Sequence, residues 1–336
     1  MRDMEVRIGG ERMVGLRGGS LVRAELEISA AAEHYRRASE FLATQAERGR
    51  APWMVERAGS YALPEGISGW PWTGANAIWL GAAADRRGYS DPRWGTAEEI
   101  AREGGRVRPG ERETTALHWR FGGQDPRTGD RWETRVFRTP VYNAEQCEGL
   151  PCLDHAGTVW SHRPPVGKIL AVPGIDVSAS GSARYDLGRD RLELPDPERF
   201  ASRQAYYRTA IHEVGHWSGH PARLNRPTLA DGLAGGLGSR EYAREELRAE
   251  IHSYLTGCRL GLGHDPSRHA SFAAEWAKAL RENPREIYQA AYSAERISRY
   301  VTARMPEMEP ARREDSVGRD AVPAVPVPER EAGRGR

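Results

Sequence analysis

Two histidines bracket a glutamate in TAIHEVGHWSGH, residues 209–220, and that spacing constrains the backbone more than any other feature of the chain. In an α-helix, residues four apart lie one turn from each other on one face. His212 and His216 can then reach a single ion while Glu213 projects beside it toward water. The neighbouring residues fit a helix, because Tyr207, Ala210, Ile211 and Val214 form an apolar stripe next to the histidine face. The plainer alternative is a surface helix carrying two solvated histidines.

A catalytic zinc ion normally takes a third protein ligand and leaves a fourth position for water. A histidine ten residues after His212 would serve, but that position is Ala222, and His220 falls short of it. Gly219 is expected to end the helix, which leaves His220 beyond the cap. The better source is SREYAREELRAEIHSYLTG, where Ala243, Leu247, Ile251, Tyr254, Leu255 and Cys258 mark a second amphipathic helix. Glu246 and Glu250 stand one turn apart beside that stripe, where a carboxylate is costly unless a cation or hydrogen bonds neutralise it. Glu246 is therefore expected as the third ligand and Glu250 as the acceptor that orients a zinc-bound imidazole, a gluzincin-type arrangement; the two roles are open to exchange. The alternative puts both on a solvated charged face with Arg244, Glu245 and Arg248. Between the two helices, LADGLAGGLGS reads equally as a mobile lid or an ordinary flexible connection.

These parts fit zinc-assisted hydrolysis of an amide, with Glu213 as the general base. The competing reading is a protein whose zinc is structural. A purely structural site has no need of a base beside the metal, so Glu213 favours a metallopeptidase.

With 336 residues, two domains plus tails are expected. No apolar run approaches the roughly 20 residues that span a bilayer, and the N-terminus lacks a signal-peptide core, so no membrane partner and a cytoplasmic location are expected. Cys147, Cys152 and Cys258 make neither a disulfide framework nor a zinc ribbon. Residues 1–22 read as a flexible arm and 24–48 as a helix. A short helical piece follows near 76–86, and TAEEIAREGG opens with Thr96 and Glu99 in capping-box register. TTALHWRF and RWETRVFRTPVYNA alternate like strands around the turn sequence GGQDPRTGD. CEGLPCLDHAGTVWSHRPPVG reads as a linker, which puts the boundary between a domain at 23–150 and one at 151–303 near residue 150. GKILAVPG and RLELP are strand candidates in the second domain, which becomes helical from about 202. Residues 304–336, rich in Pro, Arg and Glu, lack periodicity and are expected to be a disordered tail. The fold class is α+β, an α+β domain followed by a mainly helical one.

Residues 50–138 interleave aromatic side chains (Trp53, Trp70, Trp72, Trp79, Tyr89, Trp94 and Trp119) with arginines. Such a pattern suits stacking on unpaired bases with guanidinium groups along the backbone. It suits core aromatics as well, and residues 1–150 carry 22 basic against 22 acidic side chains, which gives no net electrostatic pull on a polyanion. Two regions are more specific. The run GANAIWLGAAADRRGYSDPRWGTAEEIAREGGRVRPGERETTALHW, with YNAEQCEGLP after it, resembles the N-terminal single-stranded-DNA-binding domain of the ArdC-like antirestriction proteins of plasmids and phages. YYRTAIHEVGHWSGHPARLNR followed by EYAREELRAE resembles their zincin-like metallopeptidase domain. The resemblance implies single-stranded DNA as a partner, with Trp72, Asn76, Arg93, Trp94, Arg106 and Arg108 as DNA-contacting residues. It also implies Zn2+ as cofactor, a protein substrate such as the restriction machinery, and protection of an incoming mobile element. The alternative it leaves is a non-proteolytic DNA-binding protective protein.

Overall fold

The computed structural model describes the backbone of residues 6–8, 11–13, 18–120, 123–124, 128, 131–132, 135–153, 166–236 and 238–306, and within these the side chains of residues 32–118, 128, 136–153, 167–236 and 238–306. Half of the expected arm and all of its side chains, the side chain of Trp119, most of the GGQDPRTGD turn, part of the expected linker (154–165) and the tail from 307 onward lie outside the described residues. Within the arm, Val6–Ile8 pairs antiparallel with Glu11–Met13. The first helix, α1 (Gly18–Glu47), starts ahead of the expected residue 24.

The first half is α+β. Helix α2 (Gly74–Arg87) ends where Gly88 turns left-handed (φ 74°) and returns its N–H to Ala84, a conformation that only glycine adopts cheaply. Helix α3 (Ala97–Arg102) carries the capping box read from the sequence, with Thr96 accepting from Glu99 N–H and Glu99 reaching back to Thr96 N–H. The strands that accompany them include β1 (Glu65–Gly66), β2 (Arg93–Gly95), β3 (Arg106–Val107), β4 (Thr114–Arg120), β5 (Arg135–Asn143) and β6 (Cys147–Glu148), and Gly123–Gln124 pairs antiparallel with Arg131–Trp132 between β4 and β5 in the chain. Four form one sheet in the order β1-β2-β5-β4, with β4 and β5 in antiparallel register from Thr114↔Val141 to Arg120↔Arg135. Strands β3 and β6 make a separate pair. Leu80 and Ala83 of α2 pack on Trp94, Ala116 and Val141 of the sheet.

The second half opens with a small sheet of β7 (Val177–Ala179), β8 (Arg184–Asp186) and β9 (Arg191–Leu194), with β9 central. The segment GKILAVPG is not a strand. It is a 3-10 turn over Val166–Ile169 followed by further turns, because Ile169 and Val172, three residues apart, both enter the same core, which strand alternation would prevent. Five helices follow: α4 (Arg203–Trp217), α5 (Pro227–Gly235), α6 (Arg240–Arg259), α7 (Ala273–Glu282) and α8 (Glu286–Thr302). The LADGLAGGLGS connection is largely α5, packed tightly on the start of α6, since a Cβ at Gly232 would lie 3.0 Å from Tyr242 Cα. No described helix is long and apolar enough to cross a membrane.

One core serves both halves. Leu42, Ala43 and Ala46 of α1 and Ala77 and Ile78 of α2 pack with Leu247, Ile251 and Tyr254 of α6, Trp276 of α7 and Ala291 of α8. A second cluster, built from Leu192, Ile211, Val214, Trp217, Leu229 and Val301, supports the apolar side of α4.

Candidate metal centre

Helix α4 begins at Ser202, whose hydroxyl accepts Ala205 N–H at 3.1 Å, and α6 begins at Ser239, which caps Tyr242 in the same way. The two helices touch backbone to backbone at Gly215. A Cβ there would meet Ala249 Cα at 3.3 Å and the His252 ring at 3.2 Å, so the glycine inside HEVGH lets the helices approach. That contact brings the histidine face of α4 onto Glu246.

The donor atoms converge. His212 Nε2 and His216 Nε2 are 3.1 Å apart, and the Glu246 oxygens lie 3.4 and 3.5 Å from them. All are buried. The opposite edges of both rings are held by carboxylates, with His212 Nδ1 3.0 Å from Glu250 Oε2 and His216 Nδ1 3.3 Å from Glu245 Oε1. An ionised carboxylate can only accept, so each Nδ1 carries the proton. The two Nε2 lone pairs are then left facing each other and an anionic carboxylate, and Glu246 Oε2 has no hydrogen-bond partner among the described residues. Such a cluster repels itself unless a cation sits within it, either a shared proton or a metal ion. Two imidazoles and one carboxylate are a donor set that zinc accepts, and this group fits a metal. Glu213, also buried, follows His212 on the same helix. Burial and the neighbouring Glu246 carboxylate push the Tyr242 phenol above its ordinary pKa, and the charge of Glu213 adds to the effect.

Burial opposes a charge on His212, yet Glu246 and Glu250 outweigh it and hold the imidazole well above its ordinary pKa. Burial likewise opposes ionisation of Glu246, but His216, His212 and His269 bring its carboxyl down to about 2. Without a metal, a proton on His212 plays the cation's part.

Three supporting residues were not legible as such in the sequence. Glu245, expected on a solvated face, is buried. It receives Arg226 through two contacts and the Thr228 hydroxyl at 2.6 Å, so it braces His216 as Glu250 braces His212. His264 and His269 come from the loop after α6. His264 Nε2 lies 3.2 Å from Glu250 Oε1 and His269 Nδ1 2.9 Å from Glu250 Oε2, and the His269 ring stacks on His212 at 3.9 Å. The HDPSRH segment offered only two histidines near a proline as a signal. His220 stays outside the cluster, accepting Ala222 N–H beyond the end of α4.

The expected DNA-contacting residues are not one surface of free groups. Trp94 is 0 % exposed, inside the core between α2 and the sheet. Asn76 is buried too. It donates from Nδ2 to Leu117 O and accepts Leu117 N–H, which pins α2 to β4. Neither can offer a face to a base, and both leave the DNA-contacting set. The guanidinium of Arg93 is engaged by both oxygens of Asp91. Arg106 and Arg108 lie at the β3–β6 edge, partnered by Glu148 and Glu111, and Trp72 is half-buried against His118. Among the described aromatic side chains of the first half, Trp70 is the most exposed, at 78 %. It sits on a turn closed by Gly66 N–H to Trp70 O and Gly69 N–H to Gly66 O.

Residues 32–144 match the family described as the N-terminal domain of anti-restriction factor ArdC, and residues 164–293 match the family of zincin-like metallopeptidases. The chain is 38 % identical over 290 residues to an Escherichia coli DNA primase TraC, covering 79 % of this chain but only 26 % of the primase. It thus spans about a quarter of that relative's length. An uncharacterized protein of Sinorhizobium fredii, y4eC, is 31 % identical over 270 residues, which cover 76 % of this chain and 85 % of that one. The crystal structure of the antirestriction ArdC protein from plasmid R388, metal-free, superposes with a TM-score of 0.67 at 28 % identity, covering 80 % of this chain and 97 % of that one. Its Mn(II)-bound form gives a TM-score of 0.65 at 27 % identity, with the same coverage of both chains.

Proposed function

Because the chain belongs to the ArdC antirestriction family, with an ArdC N-terminal domain ahead of a zincin-like metallopeptidase domain, we propose that it is a zinc metallopeptidase that binds single-stranded DNA through its first half. In this reading it works in the cytoplasm, protects an incoming mobile element from restriction, and takes a component of the restriction machinery as its protein substrate. The observation that carries the peptidase reading is the pair of convergent Nε2 atoms facing a buried Glu246 oxygen that has no hydrogen-bond partner among the described residues, with Glu213 alongside. His212, His216 and Glu246 hold the ion, and Glu250 and Glu245 fix the tautomers of the two imidazoles. A divalent ion agrees with the manganese-bound R388 relative, and the nitrogen-rich donor set favours zinc. When bound, the ion supplies Lewis acidity to water and to the carbonyl of a peptide bond. Glu213 takes the proton as water attacks and returns it to the leaving amine.

Zinc binding is expected to release a proton. Since the pKa of His212 is raised in the metal-free protein, its contribution to metal-free stability is fully present below the unfolded value, about 6.5, and is lost as pH rises through the folded value. Below that folded value zinc must displace the proton, so apparent affinity should climb about tenfold per pH unit and then level off. Calorimetry in buffers of different ionisation enthalpy reads the proton directly. A binding enthalpy independent of the buffer would count against His212 as a ligand.

For the DNA half, Trp70 replaces Trp94 as the expected stacking platform. Base stacking on an aromatic ring contributes roughly 1–3 kcal/mol, so Trp70→Ala should weaken single-stranded DNA about tenfold at one fixed ionic strength without lowering the thermal midpoint. Trp94→Ala should instead cost about 3–5 kcal/mol of stability by opening a cavity. Equal affinity for single-stranded and duplex DNA, undisturbed by Trp70→Ala, would argue for plain electrostatic attraction.

A further inference from the structure

The metal centre is braced from outside the peptidase half. Segment 51–57, which follows α1, contains a 3-10 turn over Pro52–Met54 with Trp53 fully buried. It runs antiparallel to the loop after α6, with Arg57 N–H donating to His264 O and His264 N–H donating to Arg57 O, both at 2.9 Å. Glycines allow the two backbones to approach. A Cβ at Gly263, whose φ is +73°, would lie 2.0 Å from Arg57 O, and one at Gly59 would lie 2.4 Å from Gly261 O. In this corner the His264 side chain, 1 % exposed, sets Nε2 2.8 Å from Trp53 O and 3.2 Å from Glu250 Oε1. Both neighbours are acceptors, so Nε2 carries the proton. Nδ1, which has no hydrogen-bond partner among the described residues, is the bare nitrogen.

We propose that His264 is a positioning residue for the metal ligand His212, and that the first half of the chain completes the metal centre through the Trp53 carbonyl. The proposal rests on the reading of His212 as a zinc ligand. His264 N–H donates to a fixed backbone oxygen of the first half, and this anchors the imidazole with Nε2 3.2 Å from Glu250 Oε1, an ion-pair distance to an oxygen that has no hydrogen-bond partner among the described residues. The other Glu250 oxygen receives His212 Nδ1–H. An imidazole anchored beside Oε1 limits how far the carboxylate can swing, so the ring that Glu250 braces keeps its Nε2 aimed at Glu246 and His216. The residues matched to the zincin-like family, 164–293, therefore do not contain the whole support of their own site.

The test uses the full chain and zinc itself, with affinity measured by competition against a chelator and the fold of metal-free protein followed by its thermal midpoint. His264→Gln puts an amide N–H near the position of Nε2, whereas in His264→Asn the amide is set back and cannot reach Glu250. Gln is expected to bind zinc within about twofold of wild type and Asn about tenfold more weakly, toward the low end of what outer partners of metal-bound imidazoles contribute. Gly59→Ala, which wedges the two segments apart without touching a side chain of the site, should weaken zinc in the wild-type background and add little to His264→Asn. Wild-type affinity in both His264 variants, or equal weakening in both, would overturn the positioning role. Full additivity of Gly59→Ala with His264→Asn would overturn the part assigned to the first half. A wild-type protein that binds no zinc would instead sink the metal-site reading on which the proposal rests.

Discussion

Glu213→Gln should abolish hydrolysis while leaving the rest of the molecule intact. Glutamine has almost the same volume, and position 213 has no part in the His212, His216 and Glu246 donor group. Zinc content, thermal midpoint and DNA affinity should therefore change little. Turnover of native or denatured protein substrates should fall by about 10²–10⁴, the usual contribution of a general base. In cells the same variant separates two roles for the zinc. If protection against restriction disappears with Glu213→Gln, proteolysis is part of the function. If protection survives Glu213→Gln but is lost when a ligand is changed, the ion holds the fold together and the first half carries the biology. A zinc-loaded wild-type protein with no measurable hydrolysis would favour that second outcome.

His212→Ala and His216→Ala should each eliminate stoichiometric zinc. At free zinc about a thousandfold above Kd, binding stabilises the native state by about 4 kcal/mol. Its loss should lower the thermal midpoint by something of the order of 10 °C. Chelator should bring wild type down and leave the variants unmoved. After loss of His216, Glu245 still has the Arg226 guanidinium and the Thr228 hydroxyl. After loss of His212, Glu250 still has the His264 and His269 rings beside it, and in either variant one imidazole remains beside Glu246. The two metal-free variants should therefore keep comparable thermal midpoints. Zinc retained at full occupancy in either variant would contradict this assignment of the donors. Retention of zinc by Glu246→Ala with loss in Glu250→Ala would exchange the roles of those two glutamates.

Some of this was legible in the sequence because the relevant forces act over a turn or two of chain. The HEVGH spacing and its apolar neighbours specify a helix with one donor face, and the stripe from Ala243 to Cys258 specifies its partner helix. The Thr96 and Glu99 pair marks the start of α3 through hydrogen bonds that close within three residues. Glu246 and Glu250 stood out because a carboxylate beside an apolar stripe demands compensation, and they face the Nε2 and Nδ1 sides of His212 respectively.

The remainder depends on which distant segments meet. Period alone could not show whether Trp94 and Asn76 face outward, since a strand or helix residue has the same local preferences whether its face meets solvent or α2 and β4. Contact with those elements buries both, while a turn leaves Trp70 in the open. Glu245 reads locally as one more charge on a charged helix; it is buried because Arg226, nineteen residues away, folds back onto it. His264 and His269 carry no signal at their own positions. They matter because the loop after α6 returns over Glu250 and is pinned there by residues 51–57, more than 200 positions earlier in the chain. Local sequence thus determined the chemistry of the donor atoms and the helices that carry them. Long-range packing, which no short window encodes, determined their surroundings and hence the burial, protonation and orientation that make those donors a site.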